Sequence, residues 1–225
     1  MSDTDSFIEE VTEEVRRDRL YGMLRRYGWI AALVILLIVG GAAFSEYRKA
    51  QARAEAEGLG DSILAALSSN TAGDRLADLS ALEPSEPGAQ VIVDMLAASE
   101  AEQAGNVGAA VDALDRIAIN GEVPEIYRQV AAFKSLVLQA DTMDPDTRRQ
   151  QLEAMASPGA PLALLAQEQI GLMEIAQGNT EAALDRFQGI LSDAGASTDL
   201  QERALQVIVA LGGTPDLSGL PNFGN

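Results

Sequence analysis

The sequence predicts an all-α protein with three parts: an amphipathic N-terminal helix, one transmembrane helix and a domain of tandem helical hairpins. Three observations carry this. Residues 27–45, YGWIAALVILLIVGGAAFS, hold no charge and resemble no other stretch of the 225-residue chain. Beyond them, apolar residues recur at spacings of three and four, and Val, Ile and Thr never alternate over a strand's length. Glycine or proline marks most junctions between these periodic stretches.

Residues 1–26 form the head. Ser6 and Glu9 have capping-box spacing, in which each side chain satisfies an unpaired amide at a helix start. Phe7, Val11 and Val15 repeat every four residues, and Leu20, Met23, Leu24 and Tyr27 continue the apolar positions. Glu9, Glu10, Glu13 and Glu14 precede Arg16, Arg17 and Arg19, the order that the helix dipole favours. Glu13 and Arg17 make a favourable i,i+4 pair. Gly22 marks an expected flexible point. The head reads as a docking helix for a partner or as a helix lying on the inner leaflet.

Residues 27–45 follow as the span. At about 1.5 Å per residue this length covers close to 30 Å, the thickness of a bilayer's hydrocarbon core. Arg25 and Arg26 bound it on one side, and Glu46, Arg48 and Lys49 on the other. Tyr27 and Trp29 at its start, with Phe44 and Tyr47 at its end, suit the headgroup level. A cleaved signal peptide, cut before Phe44, is the competing reading, but the stretch before the span is long and carries seven acids. A buried core helix would need a polar face, and there is none. Five arginines lie before the span, against Arg48, Lys49 and Arg53 after it. That asymmetry places the head in the cytoplasm and the body across the membrane.

The body, residues 46–212, is expected to be helical at 46–68, 72–83, 89–104, 107–118, 124–140, 145–156, 161–177, 180–192 and 198–211. Gly58 and Gly60 are expected to loosen the first of these. Residues 213–225 read as a flexible tail. From residue 46 onward there are 27 Asp/Glu against 11 Lys/Arg. So acidic a body repels nucleic acid and anionic lipid. The chain has no histidine and no cysteine, which excludes imidazole and thiolate catalysis, disulfides and structural zinc. No cofactor and no small-molecule substrate are expected.

Nine helices with short links call for an internal repeat. GNTEAALDRF at residues 178–187 looks like the turn and second helix of a tetratricopeptide repeat (TPR). Gly171 and Ala183 are small where two helices of a hairpin cross, Gly178 suits the turn, and Phe187 with Ile190 faces the next unit. Ala97, Ala98, Gly105, Ala110, Leu114 and Ile117 take equivalent positions in residues 91–124. A unit at about 125–163 comes between, with Ala131 and Ala132 at the close crossing and Leu152 and Ala156 on its second helix. Residues 50–83 read as a degenerate first unit and 198–211 as a closing helix.

With this layout the chain resembles the YfgM-like family of Gram-negative bacteria. The residues that carry the likeness are FIEEVTEEVRRDRL in the head, Arg25, Arg26, Tyr27, Gly28 and Trp29 at the start of the span, and residues 161–191. The resemblance implies an inner-membrane protein with a periplasmic TPR-like domain. It also implies an ancillary place beside the Sec translocon with links to periplasmic chaperones. It brings no catalytic residues.

The leading functional expectation is a membrane-tethered scaffold that holds proteins in a groove. By template position the groove carries Ile92, Met95, Ser99 and Glu102 in one unit, and Leu165, Glu168, Leu172 and Ile175 in the other. Such apolar residues also serve as core. A second reading is an accessory subunit or assembly factor of a respiratory or cytochrome-maturation complex, contacted through span and head. Gly41 and Ser45 would then pack against another span. An enzyme is not expected. Lys134 and Ser135 are neighbours on a helix and point about 100° apart, which prevents a dyad, and Asp112 with Asp115 looks like a solvated helix face.

Overall fold

The computed structural model describes the backbone of residues 3–217, with side chains from residue 25 onward except Ala31. All regular structure among the described residues is helical. The elements are α1 (Asp3–Leu67), α2 (Ala72–Ser80), α3 (Pro87–Gln103), α4 (Val107–Ile119), α5 (Glu125–Leu138), α6 (Pro145–Met155), α7 (Ala163–Ala176), α8 (Thr180–Ser192) and α9 (Thr198–Ala210). The chain divides into two compact units, Met1–Asp61 and Ser62–Asn225.

The first unit is a single helix. α1 begins at Asp3, upstream of Ser6, so Ser6 lies inside a helix rather than capping one. It runs without a break through Gly22, Gly58 and Gly60, where flexible points were expected. Each glycine costs a helix about 1 kcal/mol relative to alanine, which weakens it without forcing a break. The apolar face expected in the head lies on side chains outside the described residues. Beyond it, the window of mean hydropathy 2.2 is long and apolar enough to cross a membrane, and none of it is covered by protein. Leu36 and Leu37 are more than 60% exposed, as lipid-facing residues would be. The Arg26 guanidinium sits 5.9 Å from the centre of the Tyr27 ring.

Within the second unit, α2–α5 and α6–α9 correspond at a fixed step. A step of 73 residues carries Arg75 to Arg148, Leu79 to Leu152, Gly105 to Gly178, Asn106 to Asn179, Ile117 to Ile190 and Ala131 to Ala204. The same step brings α4 onto α8 residue for residue, and α2, α3 and α5 onto α6, α7 and α9. The cores repeat with it. Ala66 of α1, Leu79 and Ala97 form one small core, and Leu136 of α5, Leu152 and Ile170 form its counterpart. Ala110, Leu114, Ile117 and Ala131 fill the next, matched by Phe187, Ile190 and Ala204. The visible repeating block therefore has four helices, α2–α5 and then α6–α9.

Local chemistry repeats too. Thr71 and Asp144 each cap a helix, accepting from Asp74 N–H at 3.1 Å and from Thr147 N–H at 2.9 Å. Their side-chain oxygens take up amides that the first helical turn leaves unpaired. Gly105 and Gly178 turn the hairpins at φ 72° and 78°. There the Asn106 N–H reaches the Ala101 carbonyl at 2.8 Å, and the Asn179 N–H reaches that of Glu174 at 2.9 Å. These bonds close the helix ends in the manner of a Schellman motif, which needs a left-handed residue.

Packing follows chain order. From α2 to α9 each helix lies against the next, and the sparsest of these junctions is α5 with α6. The expected hairpin at about 125–163 is thus divided. Ala131 of α5 is buried with α3 and α4, while Leu152 of α6 is buried with α7. Leu136 and Arg148 bridge the two sides, the Arg148 Nε donating to the Leu136 carbonyl at 2.7 Å. Burial pulls the Arg148 guanidinium below its ordinary pKa. After α9, residues 213–217 stay against the body. The Gln188 amide donates to the Asp216 carbonyl and accepts from the Asp216 N–H, both at 3.0 Å.

Candidate functional site

The eight expected groove residues occupy equivalent places in the two blocks, each of the four on α3 lying 73 positions before its counterpart on α7. Ile92, Ser99, Glu102 and Leu172 are exposed. Met95 is half-buried against the core of the first block, and Leu165 and Ile175 against that of the second. Glu168 is held by Arg203, with Nε to Oε1 at 2.7 Å and Nη2 to Oε2 at 3.0 Å. That two-point bond ties α7 to α9 and raises the Arg203 pKa. Gly41 and Ser45 are both exposed on α1, and a Cβ at Gly41 would meet nothing within 4 Å.

Of the eight, Leu165 alone lines an open groove of about 1000 Å³ in the second block. One wall is the α6–α7 loop with Pro158, Gly159 and Pro161, continuing into Leu164 and Leu165 of α7. The other is α8, through Ala182, Asp185, Arg186, Gly189 and Ile190. Asp193, Gly195 and Leu200 close one end. Two prolines and Gly159, at φ 82°, hold the loop in a shape that keeps the groove open.

The first block differs at the matching place. Arg116 stands where the second block has Gly189, and its Nη2 reaches Asp94 at 2.7 Å, spanning α3 and α4. Gly189 presents no side chain there, and a Cβ on it would meet nothing within 4 Å. Its φ is not positive and no neighbour demands its small size. A mid-helix glycine costs about 1 kcal/mol against alanine, and the clearance it leaves is its visible consequence.

The second block carries its cation one turn away. Arg186 replaces Ala113, donates to Glu174 at 2.9 Å (Nε to Oε2) and 2.6 Å (Nη2 to Oε1), and also donates to Gln167. Arg149 approaches the same carboxylate at 3.5 Å. The Arg186 hydrogen bond, opposed by burial and aided by Arg149, holds the Glu174 carboxyl below its ordinary range. In return Glu174 raises the Arg186 pKa. The groove's one arginine is thereby held in an ion pair. Asp185 and Asp193 remain on the opening, neither in an ion pair among the described residues.

Elsewhere the polar groups are used in packing. The buried Ser135 hydroxyl donates to Asp115 at 2.7 Å and accepts from the Gln139 amide at 2.8 Å. Asp115 thus joins α4 to α5, while Asp112 and Lys134 are exposed. Sequence reasoning passed over Gly189, Arg186 and Gln167. A glycine inside an otherwise regular helical pattern was the available signal. No family model, curated protein or solved structure matches the chain.

Proposed function

We propose that this chain is a membrane-anchored scaffold, with its head in the cytoplasm and a TPR-like body in the periplasm of a Gram-negative cell. The body binds proteins near the Sec translocon and links translocation to periplasmic chaperones, as the YfgM-like resemblance implies. The observation that carries the reading is the open, mostly apolar groove of about 1000 Å³ on a body that has neither histidine nor cysteine. Such a surface is suited to holding polypeptide, and a tether supplies local concentration, so that weak contacts suffice. Crosslinking in intact membranes, followed by purification in mild detergent, tests it. Translocon or chaperone subunits linked to the body are the expected result, and capture of none counts against it.

The second reading, an accessory subunit held through its span, draws on the uncovered small residues Gly40, Gly41 and Ser45. Replacing residues 27–45 by an unrelated span separates the two. Retention of partners favours the groove, and loss favours the span.

A further inference from the structure

We propose that the groove between α7 and α8 takes an extended apolar polypeptide segment bearing two basic residues, which meet Asp185 and Asp193. The proposal rests on the scaffold reading and names the class of segment bound.

The walls are apolar, with Leu164, Leu165 and Ile190 among them. The groove's own arginine has its guanidinium hydrogen-bonded to Glu174 and Gln167, so these donors are taken up within the protein. Asp185 and Asp193 line the groove outside any ion pair among the described residues, Asp193 with one oxygen accepting the Gly195 N–H at 2.7 Å, on a body with 27 Asp/Glu against 11 Lys/Arg. The long-range field and the local carboxylates therefore select the same sign of ligand. A second copy of this acidic chain, or an anionic lipid or nucleic acid, meets repulsion.

The spacing sets the register. Asp185 lies within α8 and Asp193 is its C-cap, eight residues on, so about 12 Å of helical rise separates the two positions along the axis. An extended segment advances about 3.3 Å per residue with side chains on alternate faces, so basic residues four positions apart share one face at about 13 Å, with apolar residues between. The first block supplies the contrast, since there the Arg116–Asp94 pair spans α3 and α4 at the matching place.

The test uses the full-length protein in detergent and two fluorescent peptides, read by anisotropy. One has two lysines flanking three leucine or valine residues, and its twin has glutamates in place of the lysines. The lysine peptide is expected to bind at least tenfold tighter than the glutamate twin. Gly189→Arg, which copies the first block, is expected to weaken it at least tenfold with the helical circular dichroism unchanged. Asp185→Lys with Asp193→Lys is expected to reverse the preference, and Asp112→Lys, the counterpart of Asp185 in the first block, to leave it unaltered. Equal binding of the twins, full binding by Gly189→Arg, or reversal by Asp112→Lys alone overturns the proposal. If neither peptide binds while membrane crosslinking still captures partners on the body, the groove assignment falls and the scaffold reading stands. If both experiments find nothing, both fall.

Discussion

Gly171 of α7 lies beneath the Phe187 ring of α8, so close that a Cβ on it would stand 2.7 Å from Cε2. In the first block the same places hold Ala98 and Leu114, both buried. The two blocks thus reach similar close packing by opposite choices, a larger ring over no side chain or a smaller one over a methyl. Gly171→Ala is expected to destabilise the protein by about 1–2 kcal/mol, the overpacking strain exceeding the gain in helix propensity. Adding Phe187→Leu should recover part of that loss, a coupling of about 1 kcal/mol between the sites. Thermal or urea unfolding of the single and double variants measures it.

Glu174 gives the second block an acid limit. Its folded pKa lies below the unfolded value of about 4.3, so its contribution is whole above that value and is lost as pH falls through the folded pKa. Glu174→Gln should cost about 2 kcal/mol at neutral pH, because Arg186 and Arg149 lose their shared partner. Below the folded pKa of Glu174 the variant and the native protein should converge. Denaturation midpoints measured from pH 7 to pH 3 check the sign.

Two glycines of one hairpin should respond in opposite directions. Gly178 sits at φ 78°, where a Cβ is strained, and Gly178→Ala should destabilise by about 1–2 kcal/mol. Gly189 has ordinary helical geometry and open space around it, and Gly189→Ala should stabilise by about 0.5–1 kcal/mol. Unfolding curves for the two variants decide this.

Leu79 and Leu152 are wholly buried at matching places, and alanine at either should cost about 2–5 kcal/mol. The sparse α5–α6 junction confines the damage. Hydrogen exchange should show Leu152→Ala releasing amides of α6–α9 ahead of those of α2–α5, and Leu79→Ala the reverse.

The proposed topology is open to thiol labelling, since the chain has no cysteine of its own. Ile119 is 82% exposed, so Ile119→Cys places one accessible thiol on the body. With the outer membrane permeabilised, an impermeant maleimide should label it, while Ser2→Cys in the head should stay unlabelled until the inner membrane is broken. The opposite pattern would reverse the orientation.

The body helices were readable because their boundaries are set locally. Asn106, Asp144 and Ser197 accept backbone amides at helix starts, and Gly105, Gly178 and Gly212 turn the chain at helix ends. Local signals failed where a glycine had no such duty. Gly58 and Gly60 were expected to loosen their helix but lie in an unbroken α1, because a helix accommodates glycine wherever nothing pulls the chain elsewhere. The groove was legible only in its outline. Expected residues on α3 and α7 share faces in both blocks, yet Glu168 is spent on Arg203, thirty-five residues away, a pairing that no local pattern encodes.

By itself the sequence determined the all-helical character of the body, the apolar stretch at residues 27–45 and the acidic surface, since each follows from residue type and spacing along one chain. Only the tertiary structure decided that the corresponding blocks have four helices each, that Arg186 is tied to Glu174, and that Gly189 lines an open groove at the place where Arg116 pairs with Asp94 in the first block. Those outcomes depend on which side chains meet across helices. Meeting is settled by packing in space, where a single residue's size or charge at one of two equivalent places opens a surface or closes it.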